Sequence, residues 1–299
     1  MDVVQTKSLT KRYGELTALR RLNLRVPAGR LFGFLGPNGA GKTTALRILL
    51  GLLRATSGRA RVLGRDVWER GPRIRREVGY LPGDVRFWDN RTGRATLAFL
   101  NSARGGGAGA GIRRLTRALD LDLNRRVRDY SRGMKQKLGL IAAMMHEPRL
   151  LILDEPTTAL DPLIRTVLYT ELRRFVADGH TVLFSSHTLS EVEELCDEVA
   201  ILRDGQLVEQ QPMDVLRQRA PRRVEVSLRA DAEPPTSFPK GLSITEQTES
   251  RLAGAWTGPT ERLLAWLTTC PVRDVTIAPP NLDDLFLEYY SRTEGGTAE

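Results

Sequence analysis

The stretch GPNGAGKT, Gly36 to Thr43, follows the apolar run RLFGFLG (30–36) and opens the helically spaced segment KTTALRILLGL (42–52). An apolar strand, a glycine-bearing turn and a helix in direct succession leave few folds open. The turn aims successive backbone N–H groups, and the positive end of the helix, at one point. Gly36, Gly39 and Gly41 let the backbone curl there without a Cβ in the way. The spacing is that of the G-x-x-x-x-G-K-[ST] phosphate loop. Pro37, Asn38 and Ala40 complete the loop and Thr44 follows it. In this pattern Lys42 reaches the β- and γ-phosphates of a nucleotide, and Thr43 places its hydroxyl on Mg²⁺.

A second apolar run, RLLILDEP (149–156), ends in the carboxylates of Asp154 and Glu155. By itself it reads as an ordinary acidic pair at a strand end. In a chain with a phosphate loop, Asp154 is placed to hold Mg²⁺, directly or through water, and Glu155 to polarise the attacking water as general base. These residues specify a Mg-nucleotide hydrolase and leave kinases, GTPases and motor ATPases open.

Residues 1–28 alternate apolar and polar side chains around a turn at Tyr13-Gly14, which predicts antiparallel strands. Further strand-like runs are RARVLG (59–64), REVGYLP (76–82), HTVLFSSH (180–187) and EVAILRDGQLVEQ (198–210). Helical patterns separate the later ones. The expected fold is α/β, a layered domain with a mainly parallel sheet, antiparallel N-terminal strands and a helical insertion at about 84–146. RGGGAGAG (104–111) reads as a flexible connector within the helical stretch. A composition break at 219–223 divides an ATP-binding domain, 1–219, from a small α+β accessory domain, 220–299, that ends in the amphipathic helix LDDLFLEYY (282–290). No catalytic constellation is visible in the smaller domain.

Hydrophobic residues make up 41% of 299, enough for a normal core. The longest apolar runs fall far short of the ~18 residues that cross a bilayer, and the N-terminus lacks a signal-peptide pattern. A cytoplasmic location is therefore expected, with membrane contact only indirect, through another chain. Cys196 and Cys270 have no metal-ligand spacing and read as reduced thiols. The charge of +9 is compatible with acidic partners of several kinds. No aromatic residues interleave with a basic run, so nucleic acid is not an expected partner.

The segment DYSRGMKQKLGL (129–140) puts Ser131 and Gly133 at the start of a second helix. Taken locally this is a helix cap. Followed by LLILDEP, TTALDP (157–162) and FSSHTLSEVEELCD (184–197), it resembles the ATP-binding cassette (ABC) family, over about residues 3–215. The resemblance implies a P-loop NTPase fold, ATP and Mg²⁺ as ligands, and a homodimer of cassettes paired head to tail on ATP binding. Ser131 and Gly133 of one copy would then face the γ-phosphate held by the other, so that each ATP is gripped from two sides. It also implies that Tyr13 stacks on adenine, that Asp161 lies in a loop crossing the interface, and that His187 is the switch histidine between γ-phosphate and Glu155. Two positions depart from the family pattern. Arg132 and Met134 stand where a glycine and a glutamine are usual. In GYLPGD (79–84), Gly83 occupies the slot of a glutamine that touches Mg²⁺ and water, leaving Asp84 as a displaced candidate ligand. The expectation is slower hydrolysis or stronger dependence on a membrane partner.

A single cassette without a membrane span implies a separate transmembrane permease subunit. Residues 84–104 would form the groove for its coupling helix, with VRFW (85–88) either in contact there or packed in the core. The motifs, with the tail PNLDDLFLEYY, resemble bacterial ATPase subunits of the drug- and polyketide-export type. Two other readings remain: a soluble ABC ATPase acting on a ribosome or nucleic-acid complex, and a non-hydrolysing regulatory cassette. The first commonly carries two cassettes or long coiled coils. Intact Lys42, Asp154, Glu155 and His187 argue against the second.

Overall fold

A computed structural model of the chain describes residues 1–229, 234–280 and 282. The chain divides into two compact units, Met1–Gln210 and Gln211–Glu299. The division falls ahead of the composition break at 219, because α8 (Met213–Arg219) belongs to the second unit by its contacts.

The first unit opens with strands β1 (Asp2–Tyr13), β2 (Leu16–Leu22), β3 (Arg25–Pro27) and β4 (Leu31–Leu35) and helix α1 (Lys42–Leu49). β5 (Ser57–Val62), β6 (Arg65–Asp66), α2 (Gly71–Glu77) and β7 (Val78–Leu81) follow. Helices α3 (Gly93–Ala103), α4 (Gly109–Ala118) and α5 (Arg132–Met144) form the insertion. β8 (Leu150–Asp154), α6 (Pro162–Ala177), β9 (Thr181–Ser186), α7 (Leu189–Leu195), β10 (Glu198–Arg203) and β11 (Gln206–Pro212), whose last two residues fall past the division, complete it.

Two sheets result. The six-stranded sheet has the order β11-β10-β4-β9-β8-β7, and its pairs from β10 to β7 are all parallel. Every residue of β4 and of β8 is buried, as strands covered on both faces require. The other sheet, β2-β1-β5-β6 with β3 on β1, is antiparallel in its described pairs. Val4, Leu9, Leu22, Val26 and Val62 on its inner face join Leu46 and Leu49 of α1 and Phe32 and Phe34 of β4 in one core. The α1 helix therefore lies between the sheets, which fixes the loop in front of it.

Two expected boundaries move. The run read as a strand over 76–82 keeps only Val78–Leu81, because Pro72 starts α2 and the helix carries Ile74 into the core. The connector read over 104–111 also shortens. Gly105, Gly106 and Gly107 have φ near +90° and end α3, whereas Gly111 lies within α4. A Cβ on Gly111 would come within 2.3 Å of the Met145 carbonyl, so that glycine is there for close packing on α5.

The second unit contains α8, β12 (Arg222–Leu228), β13 (Leu242–Gln247), β14 (Arg251–Trp256), α9 (Thr260–Leu267) and β15 (Val272–Pro280). Its antiparallel sheet, ordered β13-β14-β12-β15, packs Val224, Val226, Leu252 and Trp256 against Leu263 of α9. Apart from Leu282, the segment LDDLFLEYY lies outside the described residues.

Candidate functional site

Parallel order brings the site together. β4 lies beside β9, and β9 beside β8, with Leu35 opposite Ser186 and Asp154 opposite Ser185. The three strands therefore end at one sheet edge and deliver Gly36, His187 and Glu155 side by side. That edge, at the carboxyl ends of the strands, is where open α/β sheets take ligands.

The glycine loop turns tightly there. A Cβ on Gly36 would sit 2.3 Å from the Leu202 carbonyl, and one on Gly41 would sit 2.4 Å from that of Ala18. Gly41 also has φ +100° and heads α1 with no side chain capping it. Pro37, Asn38 and Gly39 are exposed, Ala40 is buried, and Thr44 is partly buried. Lys42 is 6% exposed; its Nζ donates to the carbonyls of Gly36 and Pro37 and lies 3.3 Å from Glu155 Oε1.

Asp154, 1% exposed, uses both oxygens. Oδ2 accepts from Thr43 Oγ1 at 2.8 Å and Oδ1 from Ser185 Oγ at 2.7 Å. Ser185 Oγ in turn accepts the Glu155 N–H at 3.1 Å. Glu155 has φ +52°, a left-handed conformation that costs a non-glycine residue roughly 1–2 kcal/mol. Gln136 of α5, 5% exposed, reaches across to donate to the Pro156 carbonyl at 3.0 Å and steadies that turn. Glu155 Oε2 meets His187 Nδ1 at 2.7 Å.

Glu155 Oε1 is buried and accepts no hydrogen bond, although the Lys42 ammonium is 3.3 Å away. The charge pair is real but poorly aligned, so this oxygen still has an open coordination position. Thr43, Asp154 and Glu155 present hard oxygen donors, the set Mg²⁺ prefers. Among the described residues no three His, Cys, Asp or Glu side chains form a cage. A metal here would share its shell with waters and phosphate oxygens, as Mg²⁺ does.

His187 stands on its own small network. Ser186 Oγ donates to Glu191 Oε2 at 2.7 Å and accepts the Thr188 N–H at 2.9 Å. Arg165 of α6 lies 3.8 Å from Glu191 Oε1 and donates to the Leu160 carbonyl at 3.3 Å. The loop before α6 and the loop carrying His187 are thereby tied to one buried carboxylate.

The remaining sequence-predicted residues lie further from this centre. Ser131 is exposed and caps α5, its Oγ accepting the Met134 N–H at 3.2 Å. A Cβ on Gly133 would be 2.7 Å from the Ala159 carbonyl, so α5 begins against the loop that follows Glu155. Asp161 caps α6 through the Ile164 N–H at 3.0 Å. Tyr13, 47% exposed, has the Lys11 ammonium 4.9 Å from its ring centroid. Asp84 does not face Asp154: its side chain is 74% exposed and pairs with Arg86 at 2.7 Å. The position next to Asp154 is Gly83, where a Cβ would lie 3.6 Å from Oδ2. Trp88 is half exposed and meets Phe99 edge-on, so VRFW is not simply core.

Ser185, Gln136, Glu191 and Arg165 were not singled out from the sequence. Glu191 and Arg165 lie in helical segments that read as ordinary amphipathic helices, and Gln136 was one polar residue in a helix start. The signal for Ser185 was local: a polar residue ending an apolar strand.

Residues 19–158 match the ABC transporter family. The bacitracin transport ATP-binding protein BcrA of Enterococcus faecalis is 40% identical over 224 residues, 73% of this chain and 71% of that protein. The daunorubicin resistance ATP-binding protein DrrA2 of Streptomyces coeruleorubidus is 35% identical across 99% of this chain and 98% of its own length. A solved ATP-binding subunit of an ABC transporter shares 29% identity with a TM-score of 0.66, over 72% of this chain and 92% of that one.

Proposed function

Because the chain belongs to the ABC transporter family of ATP-binding proteins, we propose that it is the ATP-hydrolysing subunit of a bacterial exporter of the drug-resistance type. The relatives named for bacitracin transport and daunorubicin resistance support this reading over a ribosomal, nucleic-acid-bound or regulatory one.

The observation that carries the chemistry is the Glu155 carboxylate held between Lys42 and His187, beside the Thr43–Asp154 bond. When phosphate enters the loop, Lys42 exchanges Glu155 for phosphate oxygens. The freed carboxylate takes a proton from the attacking water, and His187 fixes its orientation. Thr43 and Asp154 are the residues that would hold Mg²⁺, which neutralises charge on the phosphoryl group in transfer. Tyr13 stacks on the adenine. Gly83 offers no side chain to the water or the metal, and Asp84 is engaged with Arg86, so turnover of the isolated chain is slow.

Two copies pair head to tail around two ATP molecules. Ser131 and Gly133 of each then complete the phosphate site of the other, and Asp161 lies at the interface. A separate transmembrane permease supplies the path. It docks at an open cleft of about 560 Å³ lined by Gly83, Phe87, Tyr130 and Gln136, next to the exposed Trp88. Among the described residues no helix is long and apolar enough to cross a membrane, which fits a division of labour with that subunit.

Glu155→Gln tests the reading. Turnover should fall by roughly 10²–10⁴ while ATP binding persists, the loss of a general base. Light scattering should then find an ATP-bound dimer. A monomer at saturating ATP, with the permease as well as without it, would sink the paired arrangement.

A further inference from the structure

The net charge of +9 is not spread along the chain. Residues 1–77 hold 17 Lys and Arg against 5 Asp and Glu, a surplus of 12, so residues 78–299 carry a net −3. A general bias toward arginine would not segregate in this way. The basic segment builds the antiparallel sheet, whose inner face is core, so its strand cations collect on the outer face.

The register puts like charges side by side there. Gln5 on β1 lies between Arg61 on β5 and Arg25 on β3, and Lys7 lies opposite Arg59. All four cations are exposed and line one open groove of about 660 Å³. Arg12, Arg20 and Arg21 line a second, of about 600 Å³. Lys7 and Arg59 are direct cross-strand neighbours ~4.8 Å apart, a like-charge pair that destabilises a sheet. Arg25 and Arg61 stand two strands apart across Gln5, and Arg61 has Asp66 of β6 on its other side. No described ion pair relieves them. The nearest acids are otherwise engaged: Asp2 accepts from Gln5 at 3.1 Å, and Asp66 accepts the N–H groups of Trp68 and Glu69. Such an arrangement persists at a cost that a partner's anions would remove.

We propose that this outer face binds an anionic phospholipid surface directly, through Lys7, Arg25, Arg59 and Arg61 with Arg12, Arg20 and Arg21 beside them. The grooves are open and extended, which suits many phosphate headgroups at once and not a single enclosed anion. Neither is lined by an aromatic ring, which single-stranded nucleic acid would use for stacking. The cations lie on the face of a sheet and not on a helix or ribbon set to enter a duplex groove. This contact adds to the one through the permease and does not depend on the ATPase reading.

Co-sedimentation of the full chain with phosphatidylglycerol–phosphatidylcholine vesicles tests it against phosphatidylcholine alone. Binding to the anionic vesicles only, weakened by salt, is the expected result. The triple variant Arg25→Gln/Arg59→Gln/Arg61→Gln should bind about a hundredfold more weakly, a roughly fivefold loss per cation. Its ATP turnover in solution should match that of the unaltered chain, which separates this proposal from the catalytic one. Arg113→Gln/Arg117→Gln/Arg174→Gln changes the net charge equally, from exposed sites on α4 and α6, and should bind nearly as the parent does. Equal loss in both variants would reduce the effect to net charge and overturn the assignment. So would equal binding to both vesicle types, or tighter binding of duplex DNA at the same salt.

Discussion

Helices α1 and α5 both begin at glycine-bearing turns, and they begin differently. Behind Gly41, in the left-handed region, the first turn of α1 has no side-chain cap. At the head of α5, Ser131 Oγ already accepts the Met134 N–H. A helix leaves its first four N–H groups unpaired, and a buried start without partners is costly. The α1 turn thus keeps its donors for a ligand, with Lys42 beside them, all within one chain. The α5 turn has one of its donors, the Met134 N–H, taken by its own serine, and Gly133 is accounted for by the close carbonyl of Ala159. One helix start has no side-chain cap and is completed by an anion; the other is partly capped within the chain and keeps donors that a second copy can use.

The largest test of that contrast is Lys42→Ala. It removes the loop's cation and leaves Glu155 with His187 alone, so ATP affinity should drop by about a hundredfold or more, as for a lost charge-assisted contact in a buried site. Unchanged affinity in a filter-binding or calorimetric titration would break the claim that α1 needs its ligand. Next comes Ser131→Asp. Aspartate caps as well as serine does, so the melting temperature should barely move. In a Glu155→Gln background its negative charge should abolish the ATP-bound dimer while ATP still binds each monomer. A dimer that survives would show that α5 is only a capped helix.

Gly133→Ala sharpens the same point through packing. A Cβ 2.7 Å from the Ala159 carbonyl forces the loop after Glu155 to shift, at about 1–3 kcal/mol, readable in urea unfolding. The smallest effect concerns the far end of α5. His146 follows that helix with both ring nitrogens covered, and burial, with Arg104 nearby, depresses its pKa to about 4 against a smaller opposing pull from the Val78 backbone. The folded chain therefore resists protonating it, while the unfolded chain protonates it near pH 6.5. Its contribution is full above that pH and is lost as pH falls from about 6.5 towards 4. After allowance for partial exposure the loss is on the order of 1 kcal/mol. His146→Gln should flatten the urea midpoint over that range.

Much of the first unit was legible because its signals are local. The phosphate loop, its flanking strand and helix, and the carboxylates at the end of β8 each occupy fewer than a dozen consecutive residues, and spacing alone defines them. Element ends were less legible. At 76–82 the strand reading ran on from the apolar Val78–Leu81 to Arg76 and Glu77, which are the last residues of α2. Asp84 was the natural substitute for a missing side chain by sequence adjacency. The backbone after β7 instead turns Gly83 toward Asp154 and sends Asp84 out to Arg86. The outer-face cations were visible as residues but not as a cluster, since their proximity arises only when β3 and β5 flank β1.

The sequence by itself determined that a phosphate loop would form and that a strand would carry two carboxylates, because each depends on contacts between near neighbours along the chain. Only the tertiary structure decided that Ser185 and Gln136 would support the Glu155 turn, while it sets His187 in the contact with Glu155 that the family resemblance implied. Those positions come from the end of β9 and from α5, outside β8 itself, and their meeting depends on the parallel register of three strands and on the closure of the core around them. Such long-range pairings depend on burial summed over the whole sheet, and no short stretch of the chain contains that sum.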